Sequence, residues 1–151
     1  MNGRIVVGVD GTPVGRAAAE FAANEAERRN AGLEVMHAFK IPYPALEPTG
    51  MAYLPVDHAM LVAAARQVLD TEADRLRTRA PTVTIEASLH EGSPADMLAD
   101  ASRDALMVVV GTRHVNELAG YVRGSVCRHV LHRAACPVVI VPSPSSSTSR
   151  N

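Results

Sequence analysis

Residues 4–39 read RIVVGVDGTPVGRAAAEFAANEAERRNAGLEVMHAF, and this stretch decides the fold class. Residues 4–9 (RIVVGV) form a β-branched run closed by Asp10-Gly11, the pattern of a buried strand ending in a turn. From Pro13 to Arg29, alanines and Phe21 recur at helical spacing, and Asn30-Ala31-Gly32 stops the helix. Residues 33–39 (LEVMHAF) are a second apolar strand. Strand, helix and strand in this order make a parallel crossover unit.

The rest of the chain repeats the alternation. Residues 41–55 carry four prolines and no usable period, and a loop that long in a compact domain is commonly functional or disordered. Val56 to about Arg79 predicts a long helix, with Leu61, Ala65, Val68, Leu69 and Leu76 on one face. Residues 83–89 (VTIEASL) alternate apolar and polar, as a strand with one wet face does. Ser93-Pro94 stands in cap and first-turn order for a helix running to about Arg103. Residues 106–110 (LMVVV) predict another buried strand. A glycine-bearing loop, a helix from about Ser125 to His132 and the strand 138–141 (VVIV) complete the domain. The expected organisation is one α/β domain over 1–142, a parallel five-stranded sheet covered by helices on both faces. The Ser-rich remainder, 143–151, reads as a disordered tail.

Composition narrows the function. The chain has 151 residues, 47% of them hydrophobic but only 3% aromatic, so aliphatic side chains and alanine fill the core. Fifteen Lys+Arg against sixteen Asp+Glu give a net charge of −1. With no basic face and no tryptophan, little is available for nucleic-acid binding. Cys127 and Cys136 match no zinc or CxxC spacing and read as ordinary thiols. The N-terminal apolar run is too short for a signal-peptide core, and no stretch reaches membrane-spanning length. These features predict a cytoplasmic protein without nucleic-acid or membrane partners.

In an open parallel sheet, ligands bind beyond the carboxyl ends of the strands where strand order reverses. Two strand exits carry suitable chemistry. The first is Asp10-Gly11-Thr12, where a carboxylate can accept from ribose hydroxyls or adenine-edge donors, or simply shape a turn. The other is Gly111-Thr112-Arg113-His114, followed by Gly124-Ser125 where a helix starts. Glycine permits close approach to backbone, and a Gly-Ser helix start offers N–H groups and the positive dipole end to an anion, or serves as a plain cap. His37 ends the second strand. His129 and His132 share a helix at i, i+3, a possible metal pair with no third ligand, or a partly solvated face. His58 and His90 add no signal.

RIVVGVDGTPVGRAA at the start, EGSPADML in the middle and GTRHVNELAGYVRGSVCRHVLHRAACPVVIVP near the end resemble the universal stress protein family over nearly the whole chain to Pro142. The resemblance implies a Rossmann-like sheet of order 3-2-1-4-5, like that of adenine nucleotide alpha-hydrolases, with its switch point between strands one and four. It also implies ATP, possibly with magnesium, as cofactor. The residues it assigns to the nucleotide are Val9, Asp10, Gly11, Thr12, His37, Ala38, Gly111, Thr112, Arg113, His114, Gly124, Ser125 and Val126. His37 lies near where adenine sits in ATP-binding relatives, and a hydrogen-bonded strand-end histidine is the other reading.

In the family's G-x2-G-x9-G-[S/T] pattern, Gly111 is the first glycine and Gly124-Ser125 the last pair. The middle glycine is His114 here, and the usual glycine-rich stretch reads Val115-Asn116-Glu117. If position 114 requires a positive φ, histidine costs on the order of 1 kcal/mol more than glycine. Glu117 adds an unhelpful negative charge, while His114 and Arg113 can donate to phosphate.

No GxSxG, Walker A, HExxH or SGGxDS-type sequence is present. The expectation is therefore a nucleotide-responsive module rather than an enzyme, with slow ATP hydrolysis as the most it would catalyse. The alternative is a family member that binds no nucleotide and acts as a protein-interaction scaffold. Strand 138–141 (Val138, Val139, Ile140, Val141) is apolar on both faces at a sheet edge, which predicts a homodimer joined there. The 41–55 loop is a lid or a dimer contact. The sequence leaves ATP and cyclic AMP undistinguished.

Overall fold

The structure, a computed structural model, describes residues 3–42, 57–116 and 121–143. Strand β1 (Arg4–Gly8) leads through helix α1 (Pro13–Arg29) to β2 (Gly32–Phe39). Helix α2 (His58–Arg79) connects to β3 (Ile85–Glu91), and α3 (Pro94–Ala101) plus a 3-10 turn (Ser102–Asp104) leads to β4 (Met107–Thr112). A small ribbon, β5 (His114–Asn116) and β6 (Tyr121–Arg123), precedes α4 (Ser125–Arg133) and β7 (Val138–Pro142).

The main sheet has the order β3-β2-β1-β4-β7. All of its pairings are parallel. This is the expected 3-2-1-4-5 arrangement, with β7 as the fifth strand.

Period-two alternation divides β1 between two cores. Ile5 and Val7 join a cluster with α1 and α2, while Val6 joins a second cluster with α3 and α4. All three are fully buried, and each contributes about 1.5–3 kcal/mol relative to exposure. Helix α1 buries Ala18, Ala19, Ala22, Ala23 and Ala26, a flat face that lets it lie close to the sheet. Asn30 ends it in the left-handed region at φ 51, where asparagine is among the tolerated residues.

The described part of α2 starts one residue after Asp57, whose carboxylate accepts from Ala59 N at 3.0 Å. Glu72 is buried on its apolar face, a placement the hydrophobic pattern does not predict. Its carboxylate is held by Arg75 and lies 3.8 Å from Arg16, so the charge is compensated rather than stranded.

Several boundaries differ from expectation. Strand β3 starts at Ile85, not Val83, because Val83 belongs to the turn after α2, where its N–H donates to Ala80 O at 3.1 Å. Its alternation holds: Ala87 and Leu89 pack inward, while Glu86 and His90 are exposed. The loop expected after β4 instead contains the antiparallel ribbon pairing His114 with Arg123 and Asn116 with Tyr121. Residues 43–56 of the proline-rich region, Glu117 and the tail beyond Ser143 lie outside the described residues. Among the described residues, no helix is long and apolar enough to cross a membrane.

Candidate functional site

The carboxyl ends of β1, β2 and β4 open into a cavity of about 190 Å³. Val9 and Asp10 line it from the β1 exit, His37 and Ala38 from β2, and Val110 and Gly111 from β4. The first turns of three helices close it: Val14 and Gly15 of α1, Pro94 and Met97 of α3, and Val126 of α4.

Asp10 is fixed by the turn it closes. Thr12 donates to its Oδ1 through both N–H, at 3.0 Å, and hydroxyl. The Thr12 hydroxyl oxygen in turn accepts from Gly15 N at 3.3 Å, capping α1. Gly11 has φ +78, a left-handed conformation that glycine adopts without steric cost. A Cβ on Gly15 would fall 2.7 Å from Asp10 Oδ1, so the carboxylate sits against bare helix backbone.

His37 makes a 2.7 Å contact from Nδ1 to Val9 O. A carbonyl only accepts, so Nδ1 carries the proton. Position 37 shares a sheet face with Leu33 and Val35, which pack toward α1 and α2, whereas Ala38 packs in the α3–α4 cluster. His37 therefore secures the Val9 carbonyl, just past the end of β1 and next to Asp10.

At the β4 exit, a Cβ on Gly111 would lie 2.6 Å from Val14 Cγ1 and 2.7 Å from Val14 O. Glycine here admits the first turn of α1, a packing role that ligand approach alone does not explain. Cys127 Sγ donates to Gly111 O at 3.5 Å, and burial pushes its thiol pKa up. Cys136 is also a free thiol shifted upward by burial.

The three helix starts differ in one respect that matters for an anion. Helix α1 has proline in its first turn and the Thr12 cap. Helix α3 has Pro94 and a Ser93 cap on Asp96 N at 3.4 Å. Helix α4 starts after Gly124 with no side-chain cap. Its first intrahelical bond runs from Arg128 N to Gly124 O at 3.0 Å. Among the described residues, the Ser125 and Val126 N–H groups have no acceptor, as the first turn of an uncapped helix requires. Helix α4 thus leaves both donors and its positive dipole end open beside Gly111 and Val126 in the cavity wall, whereas a proline and a side-chain cap occupy most of the first turn of α1 and of α3. Gly124 has φ 162, extended backbone, and a Cβ there would meet nothing nearer than 3.9 Å. Its lack of a side chain answers no demand of the chain's own packing.

Six of the expected site residues, Val9, Asp10, His37, Ala38, Gly111 and Val126, line this one cavity. Gly11 instead lines a recess toward α2, with Arg16, Val68 and Glu72. Thr12 is a helix cap, Thr112 is buried, and Arg113 is exposed. Gly124 and Ser125 form the exposed start of α4, and the His114 backbone begins β5. His129 is engaged with Asp96 at 3.2 Å and with Arg133. Among the described residues no group of three metal-ligating side chains occurs. Sequence reasoning missed the walls given by the ends of β1 and β4 (Gly8, Val110) and by the first turns of α1 and α3 (Val14, Gly15, Pro94, Met97, Leu98). The Ser93-Pro94 signal located the start of α3 without showing that it faces β1.

Comparison with known proteins gives a consistent assignment. The family model described as "Universal stress protein family" matches residues 1–142. A universal stress protein of Mycobacterium tuberculosis is 33% identical over 153 residues, covering 91% of this chain and 47% of the relative. The chain spans about half the length of the curated relatives it matches. A universal stress protein solved in complex with cAMP is 26% identical, with TM-score 0.69 over 94% of this chain and 98% of that one. A member of the family from Burkholderia pseudomallei is also 26% identical, with TM-score 0.66 over 93% and 96% of the two chains. With the sheet order, the cavity at its switch point and these matches in agreement, the chain belongs to the universal stress protein family.

Proposed function

We propose that this domain is an adenine-nucleotide-binding regulatory module, with ATP as the ligand and magnesium carried on its phosphates. The observation that carries this reading is the uncapped start of α4 beside the cavity, while the starts of α1 and α3 each carry a proline and a side-chain cap. Phosphate takes the Ser125 and Val126 N–H groups, Asp10 accepts from the ribose or base edge, and the base lies against Val9 and Ala38. The related structure with cAMP, 26% identical to this chain, supports an adenine nucleotide as the ligand class.

The same reading takes the domain as non-enzymatic and cytoplasmic, and as a homodimer joined along β7. Val138, Val139, Ile140 and Val141 are each only half-buried at the sheet edge, and an apolar edge of this kind is matched by a second copy.

A scaffold that binds no nucleotide is the second reading. It is favoured by one observation: the Val115–Val122 pairing lies in a β-ribbon where the family pattern is rich in glycine. Calorimetric titration of the folded chain with ATP and magnesium separates the two. One nucleotide bound per chain supports the module, and heats equal to dilution support the scaffold.

A further inference from the structure

Bond directions in the main sheet fix which backbone groups its edges leave open. Leu33 N donates to Thr84 O at 3.0 Å, and Gly92 N donates to Phe39 O at 2.8 Å. With the parallel register of β2 and β3, these bonds turn the N–H and C=O of Glu86, Ser88 and His90 toward β2. Those of Ile85, Ala87, Leu89 and Glu91 point away from it, and β3 is the last strand of the sheet. Arg77 donates to Ile85 O at 3.1 Å, as that direction requires. Among the described residues, no hydrogen bond covers the outward groups of Ala87 and Leu89. The β7 edge is shorter. Val108 N donates to Pro137 O at 3.0 Å, so Val138, Ile140 and Pro142 face outward there, and proline has no N–H.

An open edge is a template for a further strand unless charge or shape opposes it. Here both favour a second copy of β3 running antiparallel. The strand reads IEASLHE over Ile85–Glu91, which is self-complementary about Ser88. A twofold axis there sets Glu86 opposite His90 and Ala87 opposite Leu89, in both halves of the pair. Opposed residues share a face. On one face an acidic side chain meets a histidine, and on the other a small side chain meets a large one. Glu86 and His90 are exposed, and among the described residues neither has an ion-pair or hydrogen-bond partner for its side chain. Ala87 and Leu89 pack on the α1–α2 core yet are only half-buried. A slip of two residues puts Glu86 opposite Ser88 or Gly92 and loses the charge match.

We infer that β3 is a self-association edge, where two copies of this chain pair antiparallel about Ser88, Glu86 of each against His90 of the other. The contact is separate from β7 and from the nucleotide cavity, so it stands or falls independently of the function proposed above. One strand pair buries little area, which makes the association reversible and concentration-dependent. With β7 paired as well, each copy has two self-matching edges, and copies add in a row instead of closing as a pair.

The test is oxidative cross-linking of the full chain at micromolar concentration. On the twofold axis, position 88 faces itself as a non-hydrogen-bonded pair, with α-carbons about 4.5 Å apart, within the span of a disulfide. Ser88→Cys is expected to give a covalent dimer linked from position 88 to position 88, located by mass spectrometry of its peptides. Glu86→Cys, on the same strand but opposite position 90, is expected to link to itself at least about fivefold more slowly. Adding Glu86→Lys to Ser88→Cys should slow the linkage about fivefold, and adding His90→Glu as well should restore it. A folded Ser88→Cys protein that stays monomeric, or links only through Cys127 or Cys136, overturns the inference. Equal rates for Ser88→Cys and Glu86→Cys do the same, as does a charge reversal without effect. Should Ser88→Cys fail to fold, a mixture of Glu86→Cys and His90→Cys proteins replaces it: a linked heterodimer supports the pairing, and its absence overturns it.

Discussion

Gly111 and Val14 meet where β4 ends and α1 begins, so closely that a Cβ on the glycine would sit 2.6 Å from Val14 Cγ1. The obstructing neighbours include Val14 O, at 2.7 Å, which cannot turn aside as a flexible side chain would. The contact joins two strand exits across the switch point and fixes the floor of the cavity.

Gly111→Ala is therefore expected to destabilise the fold by about 1–3 kcal/mol through overpacking. Gly124→Ala, with extended backbone and only ordinary contacts, should stay within about 0.5 kcal/mol of wild type. Urea unfolding of both variants checks the contrast, and equal losses would show that the two glycines play the same part.

Thr12 links the α1 cap to Asp10. Thr12→Val removes both hydroxyl bonds and should cost about 1 kcal/mol of stability. ATP binding should weaken as well, because Asp10 loses a restraint. Thr12→Ser should restore both quantities, and a Thr12→Val protein with wild-type stability would refute the linkage.

The Val9 carbonyl fixes the His37 tautomer. Nitrogen-15 NMR of the ring should show a protonated Nδ1 in the neutral form, since the 2.7 Å contact to Val9 O needs a donor there. His37→Leu should lower stability by about 1–3 kcal/mol by leaving that carbonyl unpaired. A ring protonated at Nε2 alone would contradict the contact.

Both thiols titrate above their ordinary value of 9.0 because burial disfavours the thiolate. Their folded pKa values are raised, so the associated stability is fully present below the unfolded pKa. It is lost as pH rises through the folded values. Stability of the wild type should decline over that alkaline range, and the decline should be shallower in Cys127→Ala. With a thiol reagent near neutral pH, partly exposed Cys136 should react before buried Cys127.

The strands of the main sheet were legible because their apolar runs are long and bounded by turn residues, as in 4–11 and 106–111. Their order came from the family likeness, since pairing between residues as distant as Val7 and Val109 leaves no local trace. The ribbon was not legible: three-residue strands such as His114–Asn116 are too short to show a period. Gly111 was read as room for a ligand because its neighbour, Val14, lies 97 positions away in sequence. Glu72 was unreadable for a similar reason, as Arg16, on a different helix, helps compensate its charge.

The central claim is that phosphate binds at the open start of α4. Its most direct test is calorimetric titration of ATP with magnesium into wild type and Gly124→Val, with unfolding curves confirming that both are folded. Gly124 makes no packing demand, so the valine should leave the fold intact while its methyl groups crowd the Ser125 and Val126 N–H groups. Binding by wild type and a loss of at least about tenfold in the variant is the predicted result. Equal affinity in the two proteins, or no binding by wild type, would contradict it.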